Sequence, residues 1–233
     1  MFSRTARFYD AIYSFKDYAQ EAERVHEWIE GHRSSPGSSL LDVGCGTGKH
    51  LAELSQWYQV EGLDLDGVLL DAAREKLPEV AFHQASMVDF ELGKTFDAVT
   101  CLFSSIGYLS GRDEMRRAIA TMAKHLAPGG VLLVEPWLYP TSFQPGHLSM
   151  LTVDEPDLKI CRMAYAAQDG EVSLLEFEYL IGSPEGIVRE REQHRLFMFS
   201  QQDYEEALTA VGLRVDYDPL GPTHRGLFIG IRD

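Results

Sequence analysis

The chain has 233 residues, with 21 basic against 36 acidic side chains and a formal net charge of −15. So acidic a balance argues against nucleic-acid backbones and anionic membranes as partners, since both want a basic face. The length suits one sizeable α/β unit with room for an insertion. Cys45, Cys101 and Cys161 stand far apart without Cys-x-x-Cys spacing and read as reduced thiols. No charged-then-apolar leader opens the chain and no apolar run approaches a membrane span, so a cytoplasmic protein is expected.

The first 35 residues precede any strand. Phe8 to Tyr18 is dense in aromatics, and Ala22, Val25, Trp28 and Ile29 fall at helical spacing over Glu21–Gly31. This segment, residues 1–35, reads either as cover for a sheet edge or as a helical lid over a site. After the linker Pro36–Ser39, an apolar run reaches Asp42 and three glycines follow at every second position, Gly44, Gly46 and Gly48. A helix is expected over Lys49–Gln56, a second strand over Val60–Asp66, a helix near Val68–Lys76 and a third strand over Val80–Gln84. Phe96–Phe103 reads as a buried fourth strand. A helix over Asp113–Leu126, a Pro128-Gly129-Gly130 turn and a fifth strand, Val131–Glu135, follow. Alternating strands and helices dictate a doubly wound, mostly parallel sheet with its ligand site beyond the carboxyl ends of the strands.

Past Pro140 the pattern changes. Leu158–Gln168, Glu171–Ile181 and Ile187–Phe199 are three strand-like runs joined by short turns, which join antiparallel strands. Residues 141–197 are therefore expected to form an antiparallel β cap inserted into the α/β unit of residues 36–140 and 198–233. A helix from Ser200 to Ala210 and two strands, Leu213–Tyr217 and Leu227–Ile231, complete seven strands in the main sheet. Arg189, Arg191 and Arg195 share one face of the last cap strand, with Glu190 and Glu192 on the other. That face reads as salt-bridged and solvated. The eight histidines show no metal-ligand spacing, and no metal is expected; His147 alone, in a loop after strand five, is a site candidate. The edges and apolar faces of the cap suggest a homodimer formed through it.

The glycine spacing departs from the dinucleotide fingerprint, because Lys49 stands where its third glycine would be. Asp64 follows Gly44 by 20 positions, the place where such sheets set an acid against ribose hydroxyls. Asp66, nearer the next helix, is assigned as its cap. The stretch Asp42-Val43-Gly44-Cys45-Gly46-Thr47-Gly48 resembles motif I of the class I S-adenosylmethionine-dependent methyltransferases. Further segments narrow the resemblance: Tyr9-Asp10, Lys16-Asp17-Tyr18, Phe96 to Cys101, Phe103-Ser104-Ser105-Ile106-Gly107-Tyr108-Leu109, Val134-Glu135-Pro136-Trp137 and Arg225-Gly226-Leu227-Phe228. Together they resemble the N,N-dimethyltransferases that act on nucleotide-linked 3-amino-3,6-dideoxyhexoses.

The resemblance implies a Rossmann-like fold, S-adenosylmethionine as cofactor, and a small-molecule acceptor. It places Tyr9, Asp42, Gly44, Cys45, Gly46, Gly48, Asp64, Leu65, Ser86, Met87, Leu102 and Phe103 around the cofactor. The family commonly has Gly-Asp-Met where this chain has Ala85-Ser86-Met87. Lys16, Tyr18, Ser105, Trp137, His147 and Arg225 would meet the substrate, Arg225 at its diphosphate. Tyr108, Ser105 and Tyr18 are the catalytic candidates, Tyr108 standing where the family often has histidine. A phenol is a poor base at neutral pH, so orientation of nitrogen, methyl and sulfur is expected to dominate. Two alternatives stay open: another small amine, amino acid or hydroxyl acceptor, and a cofactor-binding protein without turnover.

Overall fold

The computed structural model describes residues 6–233, so expectations for residues 1–5 lie outside it. Seven strands form the main sheet: β1 (Ser39–Val43), β2 (Gln59–Asp64), β3 (Ala81–Gln84), β4 (Phe96–Cys101), β5 (Leu126–Val134), β10 (Arg214–Asp218) and β11 (Leu227–Ile231). Their order is β10-β11-β5-β4-β1-β2-β3. Only the pairings of β11, with β5 and with β10, are antiparallel. The order reverses between β1 and β4, whose carboxyl ends open the crevice where such sheets bind ligands.

Both faces of the sheet are covered, so its central strands are apolar without alternation. On one face Leu41, Val43, Val99 and Cys101 pack against Met115, Ile119 and Met122 of α5 (Arg112–Lys124) and Tyr204 and Leu208 of α6 (Gln201–Ala210). On the other, Leu40, Ala98 and Leu133 meet Ala22, Val25 and Ile29 of α2 (Tyr18–His32) and Leu51 and Leu54 of α3 (Lys49–Leu54). The aromatic N-terminal segment divides between its two expected uses. Helix α2 covers the sheet, whereas Ile12 of α1 (Tyr9–Ile12) and the adjacent Tyr13 pack under the cap with Phe177 and Tyr179. Asp10 ties α1 to the glycine loop by accepting from Thr47 Oγ1 at 2.7 Å and pairing with Lys76 of α4 (Gly67–Lys76).

Two boundaries differ from the sequence reading. Helix α5 stops at Lys124, and β5 starts at Leu126, with Pro128-Gly129-Gly130 inside it as an irregularity that shifts the register against β4 between Phe96 and Ala98. The Gly129 carbonyl is occupied there by the Ser34 and Ser35 amides, so the segment continues the sheet as a bulge instead of turning. The cap has four strands, not three, in the order β6 (Leu148–Glu155), β7 (Leu158–Asp169), β8 (Val172–Ser183) and β9 (Gly186–Phe197), all antiparallel. Strand β6 escaped the pattern because only Val153 in it is buried, while Leu148 and Met150 point outward. Arg189 and Arg191 pair with Glu178 and Glu176 on the solvated face, as expected. Among the described residues no helix is long and apolar enough to cross a membrane.

Candidate active site

The floor of the site is the turn from β1 into α3. Leu63 O accepts from Gly44 N and Cys45 N at 2.7 and 3.1 Å, which folds the loop over the end of β2. The carboxylate of Asp64 then accepts from Gly46 N at 2.8 Å and Asp66 N at 2.9 Å, one bond to each oxygen. Asp64 also lines the cavity above the loop. Burial pushes the Asp64 carboxyl up, and these backbone donors oppose the shift. Asp66 caps α4 through Val68 N at 3.0 Å, the role the sequence reading gave it, and Asp64 is left to the glycine loop and the cavity.

Above the floor lies a cavity of ≈ 900 Å³ shared by the glycine loop, the tip of β4, the α1 segment and the inner face of the cap. Tyr9, Lys16, Gly44, Gly46, Asp64, Leu65, Ser86, Met87, Phe103, Ser105, Tyr108, Trp137, His147 and Arg225 all line it. A small recess beside the glycine loop takes Asp42, Cys45, Leu102 and Tyr18. Tyr18 therefore sits on the loop side, next to Lys49 and His50, and not in the main cavity. Gly48 lines neither space. A Cβ there would meet Leu77 and Ala73, so this glycine serves the packing of the loop on α4. Asp42 is buried and accepts from Thr100 Oγ1 at 2.7 Å, and burial also holds the Cys45 thiol protonated.

The tip of β4 is strained and heavily braced. Phe103 and Ser104 take φ of 50° and 63°, two successive left-handed residues that cost about 1–3 kcal/mol each. Glu135, 1% exposed, accepts from Phe103 N at 2.6 Å and from the Thr223 hydroxyl. Ser104 Oγ donates to Pro136 O at 2.7 Å and accepts from Arg225 Nη1 at 3.0 Å. Ser105 Oγ lies 3.0 Å from Leu102 O and 3.3 Å from Gly44 O. Its single proton is thereby committed to backbone carbonyls, which joins the β4 tip to the glycine loop and leaves Ser105 unsuited to proton transfer.

Three cations converge on the cavity of this acidic chain. Lys16 Nζ stands 3.6 Å from the Phe103 ring centroid and pairs with Glu21 at 2.9 Å; burial draws its ammonium pKa down, against that pairing. Arg225 stacks on Trp137 at 4.8 Å, and burial likewise lowers its pKa, with Glu135 opposing. Arg162 of β7 lies over Phe177 at 4.8 Å and Tyr13 at 5.7 Å. Arg162 and His194 were not assigned to the site from the sequence, Glu135 appeared there only as part of its Glu-Pro-Trp motif, and Glu192 only as opposite in face to the arginines. The signal for Glu192 and His194 was parity, since they share the inward face of β9 with buried Leu196.

Residues 40–130 match the family described as "Methyltransferase domain". The chain is 41% identical to dTDP-3-amino-3,6-dideoxy-alpha-D-glucopyranose N,N-dimethyltransferase of Streptomyces fradiae, over 97% of this chain and 90% of that protein. The crystal structure of Streptomyces venezuelae DesVI superposes with a TM-score of 0.93 at 39% identity, covering 98% of both chains. SAM-bound CalS10, an amino pentose methyltransferase from Micromonospora echinaspora, superposes with a TM-score of 0.86 at 40% identity, over 94% of this chain and 92% of that one.

Proposed function

The chain belongs to the family of S-adenosylmethionine-dependent N,N-dimethyltransferases of amino sugars, and from that premise we propose that it methylates the amine of a nucleotide-linked amino sugar twice in succession. The observation that carries this reading is a cavity whose lining brings Gly46 and Asp64 together with Lys16, Arg162 and Arg225. In a chain of net charge −15, three gathered cations answer to an anionic acceptor such as a sugar diphosphate.

The floor fits the cofactor. A Cβ on Gly46 would meet no protein atom within 4 Å, so the loop presents bare backbone to open space. Asp64 would accept from the ribose hydroxyls, Leu65 and Met87 would cover the adenine, and Ser86 would offer it a neutral hydroxyl. When bound, S-adenosylmethionine supplies an electrophilic methyl group. The chain's own task is to fix the acceptor nitrogen in line with that methyl, and positioning of this kind is worth about 7–11 kcal/mol. Arg225 would clamp the diphosphate with paired N–H donors.

S-adenosylhomocysteine release is the direct assay. With a dTDP-linked amino sugar the expected yield is two equivalents per acceptor, with little from the free sugar or simple amines. Turnover of a simple amine and of no nucleotide sugar would transfer the assignment to a different acceptor class.

The cap supports a second part of the proposal, a homodimer. Leu148 and Met150 of β6 pair in register with Tyr165 and Met163 of β7, and all four are exposed on the outer face. A contiguous apolar patch of this kind marks an interface. Light scattering at micromolar concentration is expected to return twice the chain mass of 26.2 kDa; a monomer would refute the dimer.

A further inference from the structure

One polar chain in the cap has no part in holding either the cofactor or a diphosphate. Tyr108 ends the 3-10 turn Ser105–Tyr108, between glycine loop and cap, and is 37% exposed at the cavity it lines. Its hydroxyl lies 2.7 Å from His194 Nδ1. His194 is 1% exposed on the inner face of β9, with its ring against Phe177. Glu192, also buried, sets Oε2 3.6 Å from His194 Nε2. Phenol, imidazole and carboxylate thus stand in the order in which an imidazole takes a proton from a hydroxyl and a carboxylate steadies the cation that forms.

Methyl transfer to an amine needs such an outlet. A protonated amine has no lone pair to offer, and each transfer releases one proton overall. We propose, on the amino-sugar reading above, that Tyr108 and His194 form a relay that carries the acceptor's ammonium proton away, with Glu192 holding the imidazolium. The ammonium N–H bond breaks and its proton passes to Tyr108 Oη, as the phenol's own proton passes to His194 Nδ1. The freed lone pair forms the new N–C bond, the C–S bond breaks, and its electron pair stays on the sulfur of S-adenosylhomocysteine. Once the product has left, the proton returns from His194 Nδ1 through the Tyr108 hydroxyl to water at the cavity wall, since His194 itself is 1% exposed, and nothing is oxidised or reduced.

The environment favours a relay over a phenolate. Burial holds the Tyr108 phenol far above its ordinary pKa, and Tyr13, Tyr179, Glu192 and Asp64 all act in the same direction. Tyr108 therefore accepts a proton only while passing one on. Burial also holds His194 below the usual imidazole value, leaving it neutral and able to accept. Among the described residues the charged groups acting on it are Glu192, which raises its pKa, and Arg162 of β7, which lowers it. From β8 the Phe177 ring packs against it and Leu175 is its register partner, neither of them titratable.

The test compares wild type with Tyr108→Phe and His194→Asn, whose amide still reaches Tyr108 but takes no proton. At about pH 6 the variants are expected to lose about 10²-fold in kcat/KM, a contribution typical of a general base. The loss should shrink to a few-fold at about pH 9.5, where the amine has already shed its proton. In the cofactor-free protein, ¹⁵N NMR should show His194 as the Nε2–H tautomer, with an Nδ1 resonance that moves in Tyr108→Phe. An equal loss at every pH, no loss at all, or the Nδ1–H tautomer would overturn the relay. A wild-type enzyme inert toward nucleotide amino sugars would instead remove the reading on which it rests.

Discussion

Gly46→Val is expected to abolish S-adenosylmethionine binding while leaving the fold close to intact. Gly46 holds φ at +55°, where a branched L-residue costs about 1–2 kcal/mol. Its missing Cβ would meet nothing in the protein, so an isopropyl group there projects into the space assigned to the methionyl end of the cofactor. The same residue donates to Asp64 at 2.8 Å, and a shift of the loop would move the ribose acceptor with it. Calorimetry should record a loss of affinity of about a hundredfold or more, roughly 2.7 kcal/mol. Thermal unfolding should fall by only about 2–8 °C. Gly44→Val is the contrasting case. Its Cβ would lie 2.7 Å from Ser105 Cβ, so the 3-10 turn must move and both stability and binding should suffer. Undiminished binding by Gly46→Val would place the cofactor elsewhere.

That contrast reflects what could and could not be read from the sequence. The parallel sheet was legible because β1 runs into Gly44, β2 ends in Asp64 and β4 is a buried apolar run, with helical periods between them. The cap role of Asp66 was legible because capping is decided locally, by distance to the helix. The failures share a cause, which is dependence on what lies across space. Strand β6 buries only Val153 and turns Leu148 and Met150 outward, so its pattern gives a weak core signal. Pro128-Gly129-Gly130 looks like a turn until the Ser34 and Ser35 amides fill the Gly129 carbonyl. Tyr108 was legible as a site residue, but its partner is 86 positions away on the cap. His194 among eight histidines carries no local mark, except that it shares parity with Leu196. Glu135 was visible within its Glu-Pro-Trp motif, yet its use as a brace for Phe103 and Thr223 needs both segments in place.

The brace bears directly on acceptor binding, and Arg225→Lys is where its effect should be largest. Arg225 is not a solvated turn residue: it lies over Trp137, donates to Ser104 Oγ and feels the charge of Glu135. Ser104 and Phe103 form the strained tip of β4, so the guanidinium proposed to bind the diphosphate is also tied to the turn that faces the glycine loop. A lysine keeps the charge but loses the flat stacking surface and the paired donors. Each charge-assisted bond lost to a phosphate oxygen is worth about 1.5–3 kcal/mol. KM for a dTDP-amino sugar should therefore rise at least about tenfold. Cofactor affinity should stay within about twofold, since Asp64 and the glycine loop are untouched. The split between KM and kcat reports on the brace. If Arg225 only binds the diphosphate, kcat is unchanged; if it also holds the β4 tip through Ser104, kcat falls as well. Ser104→Ala separates the two roles, because it removes the hydroxyl contact and leaves the guanidinium in place. A fall in kcat for Ser104→Ala with KM unaltered would assign the tip to orientation of the reacting groups. Unchanged KM in Arg225→Lys would show that the diphosphate is held elsewhere, with Lys16 and Arg162 the remaining cations of the cavity.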